Sequence, residues 1–321
     1  MNCKPPPALR QGDTISLVAP ASSPRPEQLA AAVAAIHAAG YRTKTYRDVC
    51  QSVDYLAGTD EERADELQQA LADPETAAVF AVRGGYGVAR LLDLLDYAAL
   101  SEQPKIVAGY SDITALHAAL MARCGWMAFH SPNAIDLAPE QGHGPSTESL
   151  WRLITRSAAP ATLASADDWP AMRALVGGAA RGPLVGGNLA VLMGLVATPY
   201  ELATEGSVFF FEDTGEAPHR IDRLLAQLSL SGKLAQVAAV AVGHLSDTGE
   251  ELGADRDAEN AFGFPPIIER VLERYLAPLG VPVLVGLPVG HEAPNLALPQ
   301  GAEVELDADA GRLVLVEPCV V

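Results

Sequence analysis

Cysteine is scarce in this chain of 321 residues: Cys3, Cys50, Cys124 and Cys319 stand far apart, with no C-x-x-C pair. That spacing points to neither a zinc site nor a disulfide framework, and reduced thiols fit a cytoplasmic location. Positive charge is short as well, with 22 lysines and arginines against 40 acidic residues. A formal charge of −18 opposes phosphate backbones and anionic lipid surfaces, so neither nucleic acid nor a membrane is an expected partner. No stretch reaches the ~18 consecutive apolar residues of a membrane span. The opening MNCKPPPALRQGDTISLVAP lacks the basic start and apolar run of a secretory signal. Also missing are H-E-x-x-H, G-x-G-x-x-G and G-x-x-x-x-G-K-[ST], which sets aside zinc-hydrolase, dinucleotide and P-loop readings. No metal and no cofactor is expected.

What the chain does have is apolar sequence, 49% of it, enough for one large domain or two joined ones. The first 130 residues repeat a short apolar run, a turn and an amphipathic helix, the pattern of parallel βαβ units. Strands are expected at Thr14 to Ala19, Ala78 to Val82 and Lys105 to Gly109. A helix is expected from about Glu27 to Ala39, capped by Ser22 or Ser23, and Thr59 with Glu62 forms a capping box for a second. From Asp136 to Arg181 the periodicity weakens, which reads as a connection with a helix near Ser149 to Ile154. Strands at Ser207 to Phe211, Val237 to Val242 and Val281 to Val285 follow, with a helix at His219 to Leu230. AEVELDADAGRLVLVE then reads as a β-hairpin turning through Asp309, Ala310 and Gly311. The expected organisation is 1–135 as an N-terminal α/β domain, 136–180 as a linker and 181–321 as a C-terminal domain.

Three stretches carry candidate chemistry. Ser111, in KIVAGYSDITALHAAL, lies between a strand and a helix and reads as a nucleophile elbow, although Ile113 replaces the second glycine of G-x-S-x-G. The competing reading is that Ser111 or Asp112 simply caps the helix. The glycine loop Arg83-Gly84-Gly85-Tyr86-Gly87 can present backbone N–H groups to an anion, as an oxyanion hole does. Among the histidines, His130, His244 and His291 end apolar runs and are equal candidates for a base. His37 and His117 fall in helical patterns, and His143 and His219 among turn residues. Glu212 and Asp213 close the strand FFF, where a carboxylate can fix an imidazole tautomer; Glu216 competes, and pairing of Glu212 with Arg220 or Arg223 is the bland alternative.

Together GDTISLVAPAS, YLAGTDEERADEL, RGGYG, GYSDIT, LVGGNL, FFFEDTGEAPHRIDRLL and GLPVGHEAPNLALPQG resemble the LD-carboxypeptidase family of serine peptidases, which includes enzymes of microcin C self-immunity. The resemblance implies an α/β fold, a flavodoxin-like parallel-sheet domain joined to a C-terminal β-rich α/β domain, with the site between them and dimers common. It implies a triad of Ser111, Glu212 and His291, with an oxyanion hole from the backbone N–H groups of Gly85 and Asp112. The implied activity is release of terminal D-alanine from muropeptide tetrapeptides in the cytoplasm. Hydrolysis of a peptidyl or aminoacyl nucleotide is the alternative, for which Trp151 or Trp169 could stack on adenine, and a non-catalytic ligand-binding protein is the alternative of another class. A carboxypeptidase must also hold a free carboxylate, and Arg83, beside the glycine loop, is the candidate cation.

Overall fold

The computed structural model describes residues 3–100, 102–139, 144–156, 158–249 and 265–321, and His143 lies outside them. Five strands of the N-terminal part, β1 (Thr14–Val18), β2 (Arg42–Lys44), β3 (Ala78–Ala81), β4 (Ile106–Gly109) and β5 (Ala128–His130), pair in parallel. The apolar residues of β3 and β4 run without alternation because helices cover both faces of a parallel sheet, whereas the edge strand β2 is polar. All four residues of β3 and of β4 are buried, as those unbroken runs require. Thr59 caps the helix Asp60–Ala72 as its capping box indicates, accepting from the Glu62 N–H at 3.2 Å. The helix Pro26–Ala38 starts differently from expectation. Pro26 sits in its first turn behind Arg25, and the Ser22 hydroxyl donates to the Tyr55 carbonyl instead of capping.

The second sheet is mixed. It contains β6 (Ala161–Ser165), β7 (Arg173–Val176), β8 (Ala179–Asn188), β9 (Val208–Thr214), β10 (Ala239–Ser246) and β11 (Val283–Val285), together with the hairpin β13 (Glu303–Asp307) and β14 (Arg312–Leu315). Strands β8 to β11 are parallel neighbours, while the hairpin extends one edge antiparallel. The stretch read as a connection thus carries the helix Gly144–Thr155 and two strands at the sheet's margins. All four residues of β7 are only half-buried, so backbone pairing with β11 holds it where side-chain pattern gives no signal.

One crossing positions the site. After β11 in the second sheet, the chain runs through 286–297 and adds β12 (Leu298–Gln300) antiparallel to β5 at the edge of the first sheet. Proline at 299 is tolerated because an edge strand need not donate on its outer side. His291 lies on this connecting segment. It can therefore face the carboxyl end of β4, which leads into Ser111, and the end of β9, which carries Glu212.

Candidate active site

Strand β4 ends at Gly109, and the chain turns sharply through Tyr110 into Ser111, whose φ is +66°. A non-glycine residue in that left-handed region costs about 1–3 kcal/mol and persists only where its surroundings hold it. Here the holding contacts are visible. The Tyr110 N–H donates to Asn133 Oδ1 at 3.3 Å, the Ser131 N–H to the Gly109 carbonyl at 3.0 Å, and the Ile113 N–H to the Tyr110 carbonyl at 3.3 Å. Neither Ser111 nor Asp112 caps the helix Thr114–Cys124 by a side-chain hydrogen bond.

The Asp112 carboxylate instead accepts from the Val88 N–H at 2.8 Å, which ties the elbow to the far end of the glycine loop. Burial pushes this carboxyl up to about 6, against the pull of that N–H and of the Arg63 charge. Arg63, fully buried, also donates to the Gly87 carbonyl at 3.2 Å and to the Pro20 carbonyl, so one guanidinium pins the loop's base. Gly84 lies directly against the nucleophile candidate: a Cβ there would stand 2.8 Å from Ser111 Cβ and 3.1 Å from its Oγ. The Gly84 carbonyl faces the Ser22 N–H at 3.4 Å. Since C=O and N–H point opposite ways across a trans peptide, the Gly85 N–H turns away from Ser22.

The three strand-end histidines separate clearly in space. His130 is fully buried, edge-on to Phe210 at 5.3 Å and to Tyr110 at 6.0 Å, and burial pushes its pKa down to about 3. His244 lies behind the turn that bears His291, and burial lowers it too, against the nearby charges of Glu292 and Glu212. Among the described residues, His291 alone of the three pairs with a carboxylate, its Nδ1 2.7 Å from Glu212 Oε2. Its pKa is raised: burial opposes the positive charge, but the hydrogen bond and charge of Glu212, with Asp213 and Asp136, outweigh it. The His291 ring also leans on Tyr110 at 4.9 Å, which brings it beside the residue preceding Ser111.

Glu212 has no exposed surface and pairs with neither Arg220 nor Arg223; Arg220 instead lies 3.7 Å from Glu216. Asp213 is committed elsewhere, accepting from Asn188 Nδ2 at 3.0 Å, the Thr214 N–H at 2.8 Å and the Ala190 N–H at 2.9 Å. Gly290 is obligatory before His291, since its φ is +131° and a Cβ would come within 2.9 Å of Glu212 Oε2. Asn295 closes the same segment: its Oδ1 accepts from the Gly290 N–H at 3.0 Å and its own N–H donates to Ser146 Oγ at 2.9 Å. The roles of Arg63, Asn133 and the Asp112 carboxylate had no signal in their own segments, because each acts on a partner distant in sequence.

Arg83 is exposed; its guanidinium donates to the Ser23 carbonyl at 3.4 Å, and no carboxylate forms an ion pair with it among the described residues. Trp151 stacks on Tyr41 at 5.0 Å, and with Trp169 it lines a cavity of about 760 Å³ that does not include His291. Among the described residues there is no cluster of three metal-ligating side chains, and no helix is long and apolar enough to cross a membrane.

Comparison with known proteins covers nearly the whole chain. Residues 15–131 match the LD-carboxypeptidase N-terminal domain and residues 181–306 the LD-carboxypeptidase C-terminal domain. The chain is 34% identical over 318 residues to a protein of Bacillus subtilis named a probable murein peptide carboxypeptidase, spanning 99% of this chain and 95% of that one. Among solved structures it is similar to a muramoyltetrapeptide carboxypeptidase from Oxalobacter formigenes, with TM-score 0.79 and 28% identity over 95% of this chain and 99% of that one. It is also similar to the microcin C7 self-immunity protein MccF in complex with aspartyl sulfamoyl adenosine, with TM-score 0.83 and 25% identity over 99% of this chain and 100% of that one.

Proposed function

The chain belongs to the LD-carboxypeptidase family and is a serine-type carboxypeptidase, and from that premise we propose that it hydrolyses the L,D-amide bond that releases terminal D-alanine from muropeptide tetrapeptides, a step of cell-wall recycling. The observation that carries this reading is the 2.7 Å His291–Glu212 pair set beside the strained elbow at Ser111. Glu212 holds the Nδ1–H, so Nε2 is the nitrogen that takes the Ser111 proton. Ser111 Oγ then bonds to the scissile carbonyl carbon. The oxygen, now negative, is received by the Gly85 and Asp112 N–H groups. His291 passes the proton to the leaving amine as the C–N bond breaks. Water, activated by the same imidazole, hydrolyses the acyl-enzyme and restores Ser111. We assign the terminal carboxylate to Arg83, whose guanidinium has no acidic partner among the described residues.

The test is incubation of the purified protein with a muropeptide tetrapeptide as the free acid and as its C-terminal amide, with aminoacyl sulfamoyl adenosine alongside, read by mass spectrometry. Loss of one alanine from the tetrapeptide is expected. Arg83→Lys is expected to slow the free acid by about tenfold or more, as loss of a paired charged contact does, and to spare the amide. Hydrolysis of the sulfamoyl nucleotide alone would move the protein to a microcin-type role, and equal effects of Arg83→Lys on acid and amide would remove Arg83 from carboxylate binding.

The pH dependence follows from His291. A base must be neutral to accept a proton, and a raised pKa keeps more of the imidazole protonated near neutrality. The acid limb of kcat/KM is therefore expected above the ordinary histidine value of about 6.5. Glu212→Gln removes the charge that raises it, so the limb moves to lower pH while the plateau falls by about 10⁴-fold, the cost of losing the orienting acid. A limb that stays in place in Glu212→Gln would separate this carboxylate from the titrating base.

A further inference from the structure

His291 stands in a loop whose stem and tip are held differently. At the stem, the Leu296 N–H donates to the Pro288 carbonyl at 2.9 Å and the His244 N–H to the Val289 carbonyl at 2.8 Å. Beyond it, no backbone–backbone hydrogen bond reaches residues 290–295 among the described residues. Side chains take over there. Asn295 Oδ1 accepts from the Gly290 N–H at 3.0 Å, and Ser146 Oγ accepts from the Asn295 N–H at 2.9 Å. Ser146 comes from the helix Gly144–Thr155, in the stretch that reads from sequence as a connection. Three residues further along that helix, and so on the same face, Ser149 Oγ accepts from the Ala297 N–H at 2.9 Å and donates to the Ser146 carbonyl at 2.7 Å. Asn295 and both serines are buried, where a polar group needs a partner.

A base carried on a loop needs such a hold. His291 must keep Nδ1 at Glu212 while Nε2 faces Ser111, and a displacement of about 1 Å costs about 100-fold in rate. The chain enters His291 through Gly290, whose φ is +131°, and the N–H of that glycine is the group Asn295 grips. We propose that Asn295, anchored by Ser146, is the positioning residue of the catalytic base: it fixes the backbone at Gly290 and so sets His291 against Glu212. The proposal rests on the triad reading of the site. Ser149 acts further on, holding the chain where it leaves the loop for β12. Ser146 and Asn295 touch no reacting atom, and their effect on chemistry passes through the orientation of one imidazole.

The experiment follows the titration of His291 by NMR in the wild type and in Asn295→Ala, Ser146→Ala and Ser149→Ala. Melting curves, and kcat and KM on a muropeptide tetrapeptide, accompany it. The titratable groups around His291 are Glu212, Asp213, Asp136, Tyr110, His130 and His244, and these variants replace none of them. Glu212 holds the imidazole above its ordinary value. A loosened ring loses that contact and its burial together, so its pKa falls toward about 6.5. Asn295→Ala is expected to show this fall, with kcat down about 100-fold and KM little changed. Ser146→Ala should move the same way with a loss of about tenfold, that of one hydrogen bond. Ser149→Ala removes the same hydroxyl one turn along and should lower the melting temperature as much, without moving the His291 titration. A titration unmoved in Asn295→Ala and Ser146→Ala, or moved equally by Ser149→Ala, would overturn the positioning role and leave the helix a support of the fold alone. The titration needs no substrate, so it decides the anchor even in a protein that releases no alanine, a result that would overturn the muropeptide reading by itself.

Discussion

Ser111→Ala is expected to lower turnover by about a millionfold, the cost of removing the nucleophile of a serine triad, while the protein keeps its fold. The fold survives because nothing described is built on the hydroxyl. The elbow is held by backbone and neighbouring groups: Asn133 on the Tyr110 N–H, the Gly109 carbonyl on Ser131, and the Asp112 carboxylate on Val88. Alanine at φ +66° carries the same left-handed strain as serine, so thermal stability should change little. Steady-state kinetics with a melting curve decide the matter. A folded variant retaining more than about a tenth of wild-type turnover would remove Ser111 from the nucleophile's role, since a triad without its nucleophile falls orders of magnitude lower.

How much of this was legible in the sequence depended on whether a feature writes its signal locally. β1, β3 and β4 were legible because a parallel strand covered on both faces needs an unbroken apolar run. The hairpin Glu303–Asp307 with Arg312–Leu315 was legible from its alternation and its glycine turn. β12 was not: three residues with a central proline say nothing alone, and only pairing of Leu298 to Gln300 with β5 makes them a strand. The caps show the same division. Thr59 and Glu62 satisfy each other within one turn, whereas Ser22, followed by Pro24 and Pro26, is drawn off to the Tyr55 carbonyl.

The site divides the same way. The elbow and the glycine loop could be found from their turns, but the choice among His130, His244 and His291 could not. All three end apolar runs, and what separates them is a carboxylate 79 residues away in sequence from one of them. Family resemblance supplied that choice before any geometry did. Arg63 was passed over because a buried ion at the base of a loop is indistinguishable, in sequence, from a solvated helix face, and the Asp112 carboxylate was weighed only as a helix cap, whereas it accepts from the Val88 N–H. Their contacts with Gly87 and Val88 tie the loop to the elbow, and so join the two halves of the proposed oxyanion hole.

His291→Ala is expected to cost nearly as much activity as Ser111→Ala, and the double variant no more than either alone. The reason is that the two groups act in one event: without a base the hydroxyl remains a poor nucleophile, and without the hydroxyl the base has no proton to take. Independent contributions would multiply to about 10¹²-fold, which no assay would register as residual turnover. The stability of the two single variants should differ, however. Glu212 is fully buried, and its Oε1 already lacks a partner among the described residues, so removing His291 strands the carboxylate entirely. Breaking a buried pair in this way costs about 3–5 kcal/mol, whereas Ser111→Ala breaks none. The melting temperature should therefore drop in His291→Ala and recover when Glu212 is replaced by glutamine in the same chain, because a neutral amide is far cheaper to bury than an unpaired charge. Recovery of stability without recovery of turnover is the signature of a pair kept for chemistry. If Glu212→Gln failed to restore the melting temperature of His291→Ala, the 2.7 Å contact would not be the one that stabilises the fold.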